Sequence, residues 1–218
     1  MEQSKALPIL NSTEIRVLGA LMEKSKTTPD YYPMTLNALT AACNQKSSRK
    51  PVVEYDEETV VLALNSLKKK GLTSTATGGS SRATKYKHNF AIVFPIVPAQ
   101  VAVMCLLFLR GALTPGEINS NSGRLYEFES LDDVQEVLEQ LANAEPPYIV
   151  QLPKRAGQKE ARYAHLFAGE PDLNFEDDAI AEPARKSVSE LEARVATLEE
   201  NYAQLKADFD KLMNELMG

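Results

Sequence analysis

"KYKHNF" (residues 85–90) and "RYAHLF" (residues 162–167) carry one pattern: a basic residue, Tyr, any residue, His, any residue, Phe. Together they hold both histidines of the 218-residue chain. Such a repeat marks either a duplicated catalytic or metal site or a duplicated fold, and the flanking residues decide for the fold. Upstream of the first copy, Asn11 and Glu14 are spaced as a capping box, Leu10 and Ile15 as a hydrophobic staple, and Ile15, Leu18 and Met22 recur at helical spacing. Thr35 caps a second helix striped by Leu36, Leu39 and Cys43. Asp56 caps a third, striped by Val60, Leu64 and Leu67 and stopped by Gly71. After Gly71 the period changes to two, and "LTSTATGGSSRATKYKHNF" reads as a hairpin around Gly78-Gly79.

The second copy repeats this order. Pro98 opens an apolar helix through Leu109. Thr114, Pro115 and Glu117 start the next, and Ser130 caps a third, striped by Val134, Leu138 and Leu141. "YIVQL", the turn "PKRAGQKE" and "ARYAHLF" then form a second hairpin. Three helices followed by a two-stranded ribbon, twice, predict an α+β, mainly helical fold of two tandem winged-helix domains. In a strand alternate side chains share a face, so Tyr86, His88 and Phe90 are expected to turn together toward the helices, as are Tyr163, His165 and Phe167.

These positions argue against duplicated chemistry. Each histidine falls in a separate repeat, Cys43 and Cys105 lie on apolar helical stripes, and no H-x-E, H-E-x-x-H or clustered Cys/His spacing occurs. "GGSSR" joins two strands, and the glycines at 111 and 116 are followed by Glu117 where a phosphate loop needs lysine. No G-x-S-x-G elbow is found. The reading is a non-enzymatic binding protein with no catalytic residue, metal or cofactor. Isolated cysteines suit a reducing cytoplasm. The opening "MEQSKALPIL" lacks a leader pattern, and the apolar run Val101 to Leu109 is too short to span a bilayer, so no membrane is expected.

Charge separates the segments. Residues 1–95 carry 13 Lys/Arg against 8 Asp/Glu, a net +5; residues 96–167 carry 6 against 9, a net −3; residues 168–218 carry 5 against 13, a net −8. A polyanion would therefore meet the first domain, because phosphate neutralisation supplies most nucleic-acid affinity. The candidate phosphate contacts are Lys46, Arg49 and Lys50 in the loop before the third helix, Lys68 and Lys69 at its end with Lys70 beside them, and Arg82, Lys85 and Lys87 in the wing. That helix opens with Asp56, Glu57 and Glu58, which complement its dipole but oppose a phosphate backbone. The third helix of the second repeat, "SLDDVQEVLEQLANAE", has acids and no base, and suits a protein partner better, although Lys154, Arg155, Lys159 and Arg162 follow in its wing.

Beyond Phe167 an acidic, proline-marked linker (168–186) leads to a heptad helix (187–218). Val188, Leu191, Val195, Leu198, Tyr202, Leu205, Phe209 and Leu212 alternate spacings of three and four, continued by Leu216. The stripe fits a homodimeric coiled coil; a helix folded back on its own domains is the alternative. The large Tyr202 and Phe209 at later a positions weaken the dimer reading.

"TTPDYYPMTLNALTAACNQKSSRKPV" (27–52), "RGALTPGEINSNSGRLYEF" (110–128) and "ARYAHLFAGE" (161–170) resemble the YceH-like bacterial proteins over nearly the whole chain. The resemblance implies a tandem winged-helix fold and supplies no substrate, cofactor or catalytic residue. Against that family's usual pattern, Asn119 and Asn121 replace arginines, Ser48 replaces an asparagine and Lys50 replaces an acid, which sharpens the contrast between a basic first repeat and a less basic second. The expected function is binding of double-stranded DNA through residues 1–95, in a regulatory or nucleoid-associated role. A protein-interaction scaffold docking through residues 96–167 is the alternative.

Overall fold

The computed structural model describes residues 6–76, 83–154 and 158–171, together with Glu199, Tyr202, Gln204 and Lys206. Two compact units divide the chain, Met1–Leu173 and Asn174–Gly218. In the second, the four described residues are helical and Tyr202 is exposed. The other expected pairing positions, Val188, Leu191, Val195, Leu198, Leu205, Phe209 and Leu212, lie outside the described residues.

The first unit is α+β, about half helical, with small antiparallel sheets, and most of its helices begin where side chains satisfy the free N–H groups of the first turn. In α1 (Ser12–Thr27) Glu14 N–H donates to Asn11 Oδ1 at 2.9 Å and Asn11 N–H to Glu14 Oε2 at 2.8 Å. Thr35 caps α2 (Leu36–Cys43) and Asp56 caps α3 (Glu57–Lys69). Gly71 ends α3 at a φ of 76°, where Gly71 N–H reaches Lys68 O at 3.0 Å and Leu72 N–H reaches Leu67 O at 2.9 Å. The chain then reverses into β2 (Thr73–Ala76), which pairs antiparallel with β3 (Lys85–His88), Thr73 opposite His88. A two-residue strand, β1 (Met34–Thr35), lies on the other side of β3, giving the order β1-β3-β2.

A short helix, α4 (Phe90–Val93), precedes the second round of α5 (Pro98–Arg110), α6 (Pro115–Ser122), α7 (Leu131–Ala142), β4 (Ile149–Gln151) and β5 (Tyr163–His165). His165 stands opposite Ile149, the first residue of β4, as His88 stands opposite the first residue of β2. Leu113 takes the place of β1, exchanging backbone hydrogen bonds with Tyr163 at 3.1 and 2.8 Å.

One expectation for the first hexapeptide is corrected. Asn89 leaves the extended conformation to reach Leu72 O and Gly71 O, so β3 ends at His88 and Phe90 starts α4. Phe90 is nevertheless fully buried, while Lys87 on the opposite face of β3 is exposed.

The two rounds share one apolar core. α1 is buried from Glu14 to Met22 and α5 from Val101 to Leu109, and each supports the other. They pack tightly at Gly19, where a Cβ would stand 2.9 Å from Leu109 Cδ2 and 3.1 Å from Phe108 Cβ. At the other end of the join, Phe167 packs on Phe90 at a centroid separation of 5.4 Å, on Phe94 at 5.2 Å and on Phe108 at 5.4 Å. Burying each such ring contributes about 1.5–3 kcal/mol, which explains the aromatic residue at the close of both hexapeptides. Leu10 N–H donates to Phe167 O at 2.7 Å, closing the start of the first round on the end of the second.

Candidate nucleic-acid interface

The loop between α2 and α3 is fixed from below by α1. Arg16, 4% exposed, donates to Cys43 O at 3.2 Å and Pro51 O at 2.5 Å, so the start and the middle of the loop hang on one guanidinium. Asn44 and Tyr55 close it further, Asn44 Nδ2–H donating to Tyr55 O at 2.7 Å and Tyr55 N–H to Asn44 Oδ1 at 2.9 Å. The second round holds it from the side: Lys50 N–H reaches Leu109 O at 2.9 Å, and Arg110 reaches Ser48 Oγ at 3.0 Å. Ser48 sits at a φ of 59°, a conformation Asn tolerates better than Ser.

Within this loop Lys46 and Lys50 are exposed, but Arg49 is not. Its side chain has no exposed surface; it meets Glu23 at 2.6 and 3.1 Å and donates to Ala42 O, Ser48 O and Gln45 Oε1. The expectation that Arg49 contacts phosphate is corrected: a charge this enclosed is spent on the protein's own acceptors. Burial would raise the Glu23 carboxyl, yet its hydrogen bonds and charge contact with Arg49, and the nearby Lys24, outweigh that and hold it below the usual range. Lys70 is likewise committed. Its ammonium donates to both Glu14 oxygens at 2.7 and 2.8 Å and to Ile9 O at 2.9 Å. Burial pushes Glu14 up, but hydrogen bonds from Lys70, Ser66 and Asn11 bring it below the usual range.

Lys68 and Lys69 are exposed on the last turn of α3, Lys87 is exposed on β3 and Lys85 is half-buried there; Arg82 lies outside the described residues. Four exposed cations bracket α3. Lys46 and Lys50 stand before its start, and Lys68 and Lys69 at its end, roughly 20 Å along the axis from its first residue at 1.5 Å per residue. The Gly71 turn then leads directly into the β2–β3 hairpin that carries Lys85 and Lys87. Val60, Leu64 and Leu67 point into the core, so the opposite stripe of α3, Glu58, Leu62, Asn65 and Lys69, faces outward, with Leu62 63% exposed. Leu62 and Asn65 were not singled out from sequence, although the buried stripe already fixes which face opposes it.

The equivalent surface of the second round has another chemistry. Val134, Leu138 and Leu141 fill the core positions of α7, and Asp132, Glu136, Glu139 and Asn143 occupy the outward stripe. Gln135 of α7 donates to Tyr163 OH at 3.1 Å. Arg162, an expected wing cation, makes a two-point pair with Glu117 at 3.0 and 3.0 Å and donates to Ala112 O at 2.9 Å. Between α7 and the β4–β5 hairpin lies an open cleft of about 280 Å³ whose charged lining is Asp132, Lys154 and Glu160.

The histidines that mark the repeat are half-buried, not solvent-facing. His88 Nε2 lies 3.2 Å from Ser25 Oγ and its Nδ1 accepts from Phe90 N–H at 3.3 Å, while its backbone N–H donates to Tyr32 OH at 2.7 Å. His165 packs edge-on against Phe108 at 5.0 Å, and its Nδ1 has no hydrogen-bond partner among the described residues. Burial pushes both down to about 4, with Lys26 adding to the effect at His88. Cys43 and Cys105 are buried free thiols; burial pushes Cys43 up to about 12 and Cys105 also upward. Among the described residues, no group of three or more His, Cys, Asp or Glu side chains could hold a metal ion, and no helix is long and apolar enough to cross a membrane.

The sequence model of a family described as "Protein of unknown function, DUF480" matches residues 10–158. The chain belongs to the DUF480 family. Relatives of this DUF480 chain carry the description "UPF0502 protein". That of Opitutus terrae is 46% identical over 193 residues, covering 88% of this chain and 84% of its own length. That of Solibacter usitatus is 46% identical over 202 residues, covering 93% and 95%, and that of Geobacter metallireducens 48% over 193 residues, covering 88% of each. The DUF480 match takes in both rounds of helices, the β2–β3 hairpin and β4, and stops before β5.

Proposed function

We propose that each round is a winged-helix module and that the first binds double-stranded DNA, with α3 laid in the major groove and its flanking lysines on phosphates. The protein acts by binding, without catalysis or cofactor, in a cytoplasmic regulatory role. The element order supports this reading: helix, short strand, helix, helix and hairpin, with the first strand paired to the last. One observation carries it above all. Lys46, Lys50, Lys68, Lys69, Lys85 and Lys87 bracket the outward face of α3, before its start, at its end and on the hairpin that follows. Arg49 and Arg110 serve to hold the loop.

The test is binding of a labelled duplex across a salt series. The reading expects log affinity to fall linearly with log salt, and alanine at the six lysines to remove about 0.9 from the slope for each phosphate left unneutralised. A flat salt response, or a slope unchanged in the six-lysine variant, refutes it.

A second reading has its own support. The acidic outward stripe of α7 repels phosphate and suits a basic protein surface, so the second module serves as a protein-docking face. Charge reversal at Asp132, Glu136 and Glu139 would abolish capture of a stoichiometric partner while sparing DNA affinity; capture that survives the reversal counts against it. We further propose that the heptad stripe from Val188 to Leu212 pairs two chains, which sedimentation of a Leu191→Asp, Leu198→Asp variant tests by loss of the dimer.

A further inference from the structure

We infer that α3 reads base sequence, and that its reading set is Glu58, Leu62 and Asn65, selecting a site with an adenine for Asn65 and a thymine methyl for Leu62. The inference rests on the DNA-binding reading of the first module and specifies what that module recognises.

The three residues lie at spacings of four and three, so on a helix they fall within about 60° of one another, opposite Val60, Leu64 and Leu67. All three are exposed, and neither the Glu58 nor the Asn65 side chain is held by a hydrogen bond among the described residues. Leu62 and Asn65 are separated by roughly 4.5 Å along the axis, between one and two base-pair rises of about 3.4 Å. Leu62, mid-helix at 63% exposure, gains little from the fold where it stands. Asn65 is a poor helix former in a helix interior.

The second round is an internal control. Counting from the helix caps Asp56 and Ser130, the positions of Glu58, Leu62 and Asn65 correspond to Asp132, Glu136 and Glu139 of α7, all exposed. A stripe that only had to face water would look like α7. In α3 the first position keeps a carboxylate, Glu58, but the other two carry an apolar residue and a carboxamide instead, and the stripe ends in Lys69, as a groove-facing helix requires.

The residue types fix the ligand chemistry. A carboxamide pairs with adenine through N6 and N7, an apolar side chain meets the thymine C5 methyl, and a carboxylate accepts from cytosine N4. Glu58 has a second effect: unless a donor meets it, it repels the phosphate backbone and weakens binding to unmatched duplex.

The experiment selects from randomised duplexes with the full chain, then compares Leu62→Ala and Asn65→Ala on the selected duplex. Enrichment of an A·T-containing site is expected. Asn65→Ala should weaken that site by roughly 10- to 100-fold and relax preference at one position, leaving the salt slope unchanged. Replacing thymine by uracil, which removes only the methyl, should weaken the parent and not Leu62→Ala. Both substitutions are at exposed positions, and unchanged unfolding midpoints confirm that the fold is kept. Salt-dependent binding with no enriched site, or variants matching the parent, overturns the base-reading set while DNA binding stands. Absence of binding to any duplex overturns both.

Discussion

Replacing Arg49 with methionine separates a structural cation from a phosphate contact. The guanidinium is enclosed, pairs with a Glu23 carboxylate that is 14% exposed, and satisfies three further acceptors between Ala42 and Ser48. Methionine fills much of the same volume but strands the Glu23 charge and frees these acceptors. Removing one partner of a buried pair costs about 3–5 kcal/mol. For a unit of this size each kcal/mol lowers Tm by about 2–4 °C, so a fall of roughly 6–20 °C is expected. The double variant Arg49→Met, Glu23→Leu removes the stranded charge and should recover much of the loss. The stability Glu23 contributes has a defined pH sense: its folded pKa is depressed, so the contribution is present above the ordinary glutamate range and is lost as pH falls through the folded value. Thermal unfolding of the parent, the two singles and the double, with DNA salt slopes measured well below each Tm, tests all of this. A single variant melting within about 1 °C of the parent, with its salt slope reduced by about 0.9, would make Arg49 a phosphate ligand and refute the reasoning.

Gly19→Ala places a methyl 2.9 Å from Leu109 Cδ2 and 3.1 Å from Phe108 Cβ, and should cost about 1–3 kcal/mol in urea unfolding; no loss would mean that α1 and α5 separate easily. Lys70→Met, which strands the buried Glu14, should destabilise the fold without changing the DNA salt slope, whereas Lys69→Met should do the reverse; identical behaviour would contradict their different surroundings. Both histidines have folded pKa values near 4, below the ordinary 6.5, so the stability from keeping them neutral is complete above pH 6.5 and is lost as pH falls toward 4. Each contributes a slope of up to about 1.4 kcal/mol per pH unit, and the His88→Asn, His165→Asn variant should give a flatter curve of urea midpoints over that range. An unchanged curve would show that they are not held neutral.

Much of the fold was legible because it is written locally. Asn11, Thr35, Asp56, Thr114 and Ser130 each cap the helix that their spacing predicts, and Gly71 ends α3 with the positive φ that made it a stop signal. Features that depend on distant contacts were not legible. Two residues, Met34 and Thr35, are too few to show a period of two, so β1 is visible only through its pairing with β3. Phe90 carried the right burial on the wrong element, because Asn89 turns the chain through contacts with Leu72 and Gly71. The candidate interface divides the same way. Lys46 and Lys50 are exposed, but Arg49 between them turns inward to Glu23, 26 positions earlier, which no local pattern announces. Lys70 differs from Lys68 and Lys69 only in pointing back toward the start of α1.

The join between the two rounds pairs like with like: α1 lies on α5, each the first helix of its round, and Phe90 meets Phe167, each the last residue of its hexapeptide. Equivalent elements meeting their own counterparts is the signature of a self-complementary interface, the kind formed by two copies of a single chain. On the proposed reading of each round as one module, the join has that character. Only the inner face must stay self-complementary, and each outer face is free to diverge, which is how α3 can carry leucine and asparagine where α7 carries Glu136 and Glu139.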